Sequence, residues 1–270
     1  MPATVLAAAG PLLQRKLMME NYNTAWPLQT FEAVTYTVVA MSVIFGFVIA
    51  TGAAALVTSF FPESVAALRA AGRRMFGVDA VMALAGAAGL TLVLRQAANA
   101  MQARFHAEAI YSLGNSDLLI TTAPALAAIA TAVRSLLIDA ALLAILVLVA
   151  RRLPQIWLRW LLGLLVAFAI LPSDVRTPGE FALAYGIAIA ATGCAAAFCF
   201  VFARGNYLAY ALVFWALALR SPLAELFGIP LAPLQVQAWI VAGALAAGVA
   251  WALLPAITLK ANPSSAANSA

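Results

Sequence analysis

Seven long apolar runs fill most of this 270-residue chain and constrain its fold more than any other feature. Hydrophobic residues make up 65% of the sequence and charged residues 9%, whereas soluble domains have about 45–50% and about 25%. Backbone polar groups must be hydrogen-bonded inside hydrocarbon, so spanning segments are helices or closed barrels. The runs lack the period-two alternation of barrel strands. The sequence therefore predicts an all-α fold, a polytopic transmembrane helical bundle.

We expect seven spans, because a membrane crossing needs about 20 apolar residues at about 1.5 Å each. The fourth and sixth are short by this measure, but arginine side chains at their ends can reach the headgroups. The predicted spans are Val34–Ser59, Phe76–Leu94, Ala125–Ala150, Ile156–Leu171, Phe181–Ala203, Tyr207–Leu219 and Trp239–Leu259.

We place the transmembrane bundle at residues 34–260. One segment precedes it in the sequence and another follows it. Residues 1–33 include an apolar stretch that Pro11 interrupts and that is too short to span. It predicts an interfacial or re-entrant segment, or the remnant of a preceding helix if the chain derives from a longer polypeptide. Residues 261–270 are small and polar, which predicts a disordered tail.

The positions of Lys and Arg predict the orientation, because basic connections favour the cytoplasm. Eight Lys and Arg residues lie on the same side of the membrane as the connection 60–75, and six lie on the other side. This bias predicts an outside N-terminus and a cytoplasmic C-terminus in a bacterial inner membrane, although Arg15 and Lys16 count against it. The first side holds Arg69, Arg73, Arg74, Arg151, Arg152, Arg159, Arg204 and Lys260; the second holds Arg15, Lys16, Arg95, Arg104, Arg176 and Arg220.

Two outer connections carry patterns of their own. In the first, four polar residues recur at helical spacing and predict an amphipathic helix. This helix either rests at the headgroup boundary or folds over the bundle and roofs a polar cavity. The second, residues 222–237, has three prolines and predicts a broken loop that covers neighbouring helices or gates a substrate or lipid. The polar residues of the first are Arg95, Asn99, Gln102 and His106.

Apart from Arg159 at one end of the fourth span, three charged residues, Asp79, Arg134 and Asp139, lie within the predicted spans. Ionisable residues inside a membrane are candidates for function. Counting along the helix places Asp139 near the bilayer midplane, whereas Asp79 and Arg134 lie close enough to a boundary to be hydrated. Asp139 is expected either to pack in a structural role, hydrogen-bonded or protonated, or to carry protons.

No catalytic, cofactor-binding or metal-binding motif is found in the sequence. It lacks a phosphate-binding glycine loop with lysine, HExxH, GxSxG and CxxC. His106 is the one histidine, so the chain predicts no zinc or haem site of its own. Cys194 and Cys199 lie about 140° apart on one helix, which disfavours a disulfide or a shared metal. We expect no cofactor and no nucleic-acid partner.

Small residues recur every four positions in several spans, a spacing that lets membrane helices approach closely. A compact bundle or a subunit interface is predicted from this pattern. The residues are Ala85 with Gly89; Gly186 with Ala190 and Cys194; and Gly243 with Ala247.

Two stretches, PESVAALRAAGRRMFGVDAVMALAGAAGLTLVLRQ and FCFVFARGNYLAYALVFWALALR, resemble accessory membrane helices of the CAAX-protease and bacteriocin-processing family. Active members of that family carry paired glutamates followed by an arginine, and histidines on later helices. This chain has no adjacent glutamate pair, and none of the family's catalytic positions carries over. The resemblance implies a non-catalytic relative, a detached membrane half, or shared composition alone.

Three functions remain open from the sequence. The first is a non-catalytic structural or interaction subunit of a membrane protein complex, with lipids and other membrane subunits as partners. The second is a transporter of small solutes or lipids, in which Asp139 and the polar stripe of Arg95, Asn99, Gln102 and His106 would take part. The third is an intramembrane enzyme completed by a partner chain.

Overall fold

The computed structural model describes residues 3–6, 27–104, 121, 123–171, 177–201, 203 and 205–258. These residues form α-helices and turns without any β-strand, which confirms the predicted all-α bundle. Six of the helices are long and apolar enough to cross a membrane, and a seventh apolar helix has 14 residues. The chain is therefore a membrane-embedded helical protein.

Proline begins three of the helices, where its fixed φ suits the first turn and its missing N–H costs nothing. These prolines are Pro62, Pro124 and Pro178. In chain order the helices are α1 (Leu28–Phe60), α2 (Pro62–Leu68), α3 (Ala70–Arg104), α4 (Pro124–Arg152), α5 (Ile156–Ala169), α6 (Pro178–Val201), α7 (Tyr207–Gly228) and α8 (Ala232–Thr258).

The predicted broken loop at residues 222–237 is wrong. Helix α7 continues through Pro222 as far as Gly228, and α8 already begins at Ala232. Proline removes one hydrogen bond from a helix, but packing in membrane helices can compensate for that loss. Here Leu219 and Leu226, on either side of Pro222, are fully buried. Their burial stabilises the helix across the proline.

The predicted outer amphipathic helix continues the second span. Residues 95–104 belong to α3, which has 35 residues and is about 52 Å long. A hydrocarbon core is about 30 Å thick, so this helix extends beyond it. Arg95, Asn99 and the backbone of Gln102 therefore lie on an extension of a spanning helix, and the rest of the predicted segment, with His106, falls outside the described residues.

Four helices, α3, α4, α7 and α8, form the centre of the bundle. Helix α7 packs against the other three, and α8 packs against α3 and α4. Alanine dominates both buried clusters, which allows the close approach that membrane helices need. Helix α1 packs on α4 at the periphery, while α5 packs on α6 and α6 packs on α3.

Contacts between helix ends show an alternating topology. The start of α7 lies beside the start of α3, where Asn206 hydrogen-bonds the carbonyl of Phe76. The start of α4 lies beside the start of α8, where Gln237 accepts a hydrogen bond from the Ala125 amide. Helix α8 then ends beside the start of α3, where Arg73 reaches it. The start of α1 and the end of α8 consequently lie at opposite ends of the bundle.

Candidate functional site

Asp139 lies in the middle of α4, on the face that packs against the bundle. It is half-buried, and helical spacing places it within about 20° of Ala132 and Ala128, which pack in one core cluster with α7 and α8. No hydrogen bond or ion pair joins it to another described residue. Arg134 is also half-buried on α4, but it lies about 140° around the helix from Asp139.

The remaining predicted residues lie on α3 or beyond it. Asp79, Arg95 and Asn99 are exposed. Asp79 and Asn99 are 20 residues apart on one helix, a separation of about 30 Å. The backbone of Gln102 belongs to α3, but its side chain is not described, and His106 lies outside the described residues. The structure therefore does not bring Asp79 and Asn99 into one site.

A different polar group, which we call the basic end, lies where α2, α3 and α7 begin and α4 ends. The Arg151 guanidinium lies 5.8 Å from the centre of the Phe61 ring, and that ring lies 6.1 Å from the ring of Tyr207. Glu63 and Arg151 both interact electrostatically with Tyr207. Three helices that are distant in sequence are thus joined by aromatic and charged side chains. The basic end comprises Glu63, Arg69, Arg73, Arg74, Arg151, Arg152, Asn206 and Tyr207.

Asn206 is the buried polar residue of the basic end and joins two helices. Its Oδ1 atom accepts a hydrogen bond from the Ala209 amide at 3.1 Å and so caps the start of α7. Its Nδ2 atom donates to the Phe76 carbonyl of α3 at 3.3 Å. An asparagine just before an apolar run is a helix-start signal, so the cap was readable from the sequence, whereas the bond to α3 was not.

The basic end consists mainly of arginine side chains, with one tyrosine, one asparagine and one glutamate. Glu63 is the one acidic side chain among the members of the basic end, and it interacts with Tyr207. Among the described residues, no group of three or more His, Cys, Asp or Glu side chains could hold a metal ion. Cys194 and Cys199 are free thiols. Arginine and tyrosine at a boundary instead favour contact with headgroups.

Helix α6 presents a second candidate, an apolar face that the described chain leaves uncovered. Only 6% of its most apolar window is buried, against 17–22% in the other five long helices. All members of one stripe on this face are exposed and small, and they fall within about 80° of the helix circumference. A Cβ atom on either of its glycines would meet no atom within 4 Å. The α6 stripe consists of Ala182, Gly186, Ala190, Gly193 and Ala197.

Side chains outside the α6 stripe carry the contacts of α6 with the rest of the described chain. The Phe198 ring lies 3.5 Å from the Cβ position of Gly86 on α3, and the Tyr185 hydroxyl donates to the Leu164 carbonyl of α5 at 3.1 Å. These contacts leave the members of the α6 stripe exposed among the residues that the structure describes.

Comparisons with protein-family models, with curated proteins and with solved structures each find no match to this chain.

Proposed function

We propose that this protein is a non-catalytic integral membrane subunit that binds a helix of another membrane protein along the α6 stripe. The observation that supports the proposal is the combination of long apolar length, low burial and small exposed residues on one face of α6. Membrane helices associate through close van der Waals contact, which small residues permit and large ones prevent. A partner helix on this face would complete the packing that the other five long helices obtain within the chain.

The same geometry suggests why α6 is the contact helix rather than α1. Helix α1 exposes many large side chains, including Phe45 and Val48, each 59% exposed. Large side chains suit contact with lipid chains, whereas the small residues from Ala182 to Ala197 give a helix backbone close access as far as the exposed Phe200. The hairpin of α5 and α6 also projects from the central four helices, so a partner can reach it without displacing the core.

We further propose that the basic end faces the cytoplasm of a bacterial inner membrane. Arg69, Arg73, Arg74, Arg151 and Arg152 gather there, and positively charged segments are retained on the cytoplasmic side. Anionic lipid headgroups would neutralise them. The resemblance to the CAAX-protease and bacteriocin-processing family remains a prediction. Within this proposal, the chain would be a relative that lacks the family's catalytic residues.

One observation favours a second function, the transport of a small solute coupled to protons. Asp139 is half-buried at mid-helix without a partner among the residues that the structure describes, and such carboxylates mark proton pathways in transporters. Ser135 stands one turn before Asp139 on α4, but no other ionisable side chain of α4 lies on the same face. The subunit proposal is therefore the better supported of the two.

Bulky substitution of the α6 stripe tests the proposed function. Purification in a gentle detergent followed by native mass spectrometry should give a stoichiometric assembly with another membrane protein. Gly186→Leu and Ala190→Leu should abolish that assembly while the chain itself stays folded. Gly52→Leu on α1 is the matched control, because Gly52 is also an exposed glycine with open space around it. A wild-type monomer carrying lipid alone would contradict the proposal.

A further inference from the structure

Pro255 leaves one carbonyl of α8 without its usual helical partner. In an α-helix the carbonyl of one residue accepts from the N–H four residues later, and proline has no N–H. Trp251 stands four residues before Pro255, and both belong to α8. The Trp251 carbonyl therefore needs a donor from elsewhere, because an unpaired backbone group in a membrane is costly.

Arg73 supplies that donor from the first turns of α3. Its Nη1 atom donates to the Trp251 carbonyl at 2.6 Å, and its guanidinium carbon lies 4.4 Å from the centre of the Trp251 ring. The Nε atom is buried and has no hydrogen-bond partner within the described part of the chain. The side chain is thus anchored on α8 through the carbonyl and the indole ring of one residue.

The close approach of the two backbones makes this contact possible. Four residues along α3 from Arg73, a Cβ atom on Gly77 would lie 2.6 Å from the Ala252 carbonyl oxygen. Only a glycine fits there, so α3 and α8 touch within one turn of the Arg73 bond. Pro255 is itself buried at this junction.

We propose that Arg73 is a latch for the C-terminal turn of α8, replacing the amide that Pro255 lacks. The latch holds the last turn of α8 against the start of α3 at the basic end, and this turn opens when the guanidinium is withdrawn. The role is one of positioning: Arg73 acts through the Trp251 carbonyl. It is independent of the α6 stripe and of any partner bound there.

A double-mutant cycle between Arg73 and Pro255 tests the latch. Arg73→Gln should shift the folding equilibrium of the full chain toward the unfolded state about thirtyfold, because it removes a charge-assisted hydrogen bond and a ring contact. Pro255→Ala restores an amide to α8. In that background, Arg73→Gln should therefore shift the equilibrium only about threefold, through the ring contact alone.

Hydrogen exchange adds a local readout that a general loss of stability would not produce. In Arg73→Gln, the amides of residues 256–258 should exchange faster than in the wild type while those of α4 do not change, and Pro255→Ala should restore their protection. Arg74→Gln is the matched control: this exposed neighbour on α3 should show no coupling to Pro255.

Every outcome of the cycle bears on the proposal. If Arg73→Gln fails to fold and the double variant folds, the restored amide has replaced the latch, as expected. Equal effects of Arg73→Gln in the two backgrounds would overturn the proposal and leave Arg73 as a boundary charge. Failure of both Arg73→Gln and the double variant to fold would overturn it as well.

Discussion

The backbone of Gly77 on α3 passes so close to Ala252 on α8 that a Cβ atom on the glycine would lie 2.6 Å from the alanine carbonyl oxygen. The neighbour is backbone, so it cannot move aside as a flexible side chain would. This contact fixes the crossing point of the two helices, and it places Arg73 beside the end of α8.

Gly77→Ala should therefore destabilise the protein. Overpacking of this kind lowers the free energy of unfolding by about 1–3 kcal/mol. Gly89→Ala, on the same helix with nothing within 4 Å of its Cβ position, should instead raise that free energy by about 0.5–1 kcal/mol, because alanine restricts the unfolded chain. Unfolding of both variants in mixed detergent micelles measures the difference. Equal effects would show that the α3–α8 crossing is looser than the structure indicates.

A Cβ atom on a second glycine, Gly248 of α8, would meet a side chain instead of backbone. Its Cβ position lies 2.9 Å from the indole of Trp215, and that indole donates to the Ala244 carbonyl at 3.3 Å. Gly248→Ala should displace the ring and lower the free energy of unfolding by about 1–2 kcal/mol, the loss of one hydrogen bond with some strain.

The control for this prediction is Gly243→Ala, because open space surrounds Gly243 on the same helix. The free energy of unfolding of the Gly243→Ala variant should stay the same or rise slightly. Tryptophan fluorescence of Gly248→Ala should also change while that of Gly243→Ala does not. An unaltered spectrum in both variants would contradict the assigned contact.

Substitutions of Asn206 can separate the contributions of its two hydrogen bonds to the free energy of unfolding. Asn206→Ala removes the cap on α7 and the bond to α3, and it should lower the free energy of unfolding by about 2 kcal/mol. Asn206→Ser retains a cap acceptor but cannot reach the Phe76 carbonyl as an amide does, so its loss should be about half as large. Asn99→Ala, at an exposed position, should change stability by less than about 0.5 kcal/mol. If serine and alanine behave alike, the cap contributes nothing.

Asp139→Asn distinguishes the two proposed functions. Asparagine has nearly the same shape and no charge, so a packing role predicts a change in the free energy of unfolding of less than about 1 kcal/mol and an intact assembly. A proton-carrying role predicts normal folding with loss of proton-coupled uptake in reconstituted vesicles. Uptake that Asp139→Asn abolishes would therefore overturn the subunit proposal.

Much of the fold was readable from the sequence because length and apolarity alone decide which segments cross a membrane. The ends of the spans were less readable. Helix α7 passes Pro222 because Leu219 and Leu226 are buried on either side, and this burial depends on helices that the local sequence does not reveal. The polar residues of the first outer connection predict a helix separate from the second span, because the change of composition hides the continuity of α3.

The candidate sites also include residues that the sequence indicates and residues that only the structure brings together. Asp139 stood out in the sequence because a carboxylate in an apolar run is rare. The contact between Arg73 and Trp251 joins residues 178 positions apart, and no pattern within either segment indicates the pairing. The α6 stripe was partly visible as Gly186 and Ala190, but its exposure depends on how the other helices pack.

Labelling from outside the cell tests the orientation. In a background in which Cys194 and Cys199 are replaced by alanine, Thr177→Cys at the end opposite the basic end should react with a membrane-impermeant maleimide in intact cells. Arg152→Cys at the basic end should react only after permeabilisation. The reverse pattern would place the basic end outside.

Photo-crosslinking from the α6 stripe tests the central claim most directly. A benzophenone amino acid at Gly193 should, in native membranes, form a crosslink to one discrete protein, whereas the same group at Gly52 on α1 should form none. Crosslinks of equal strength from both positions, or to lipid alone from Gly193, would contradict the proposed interface.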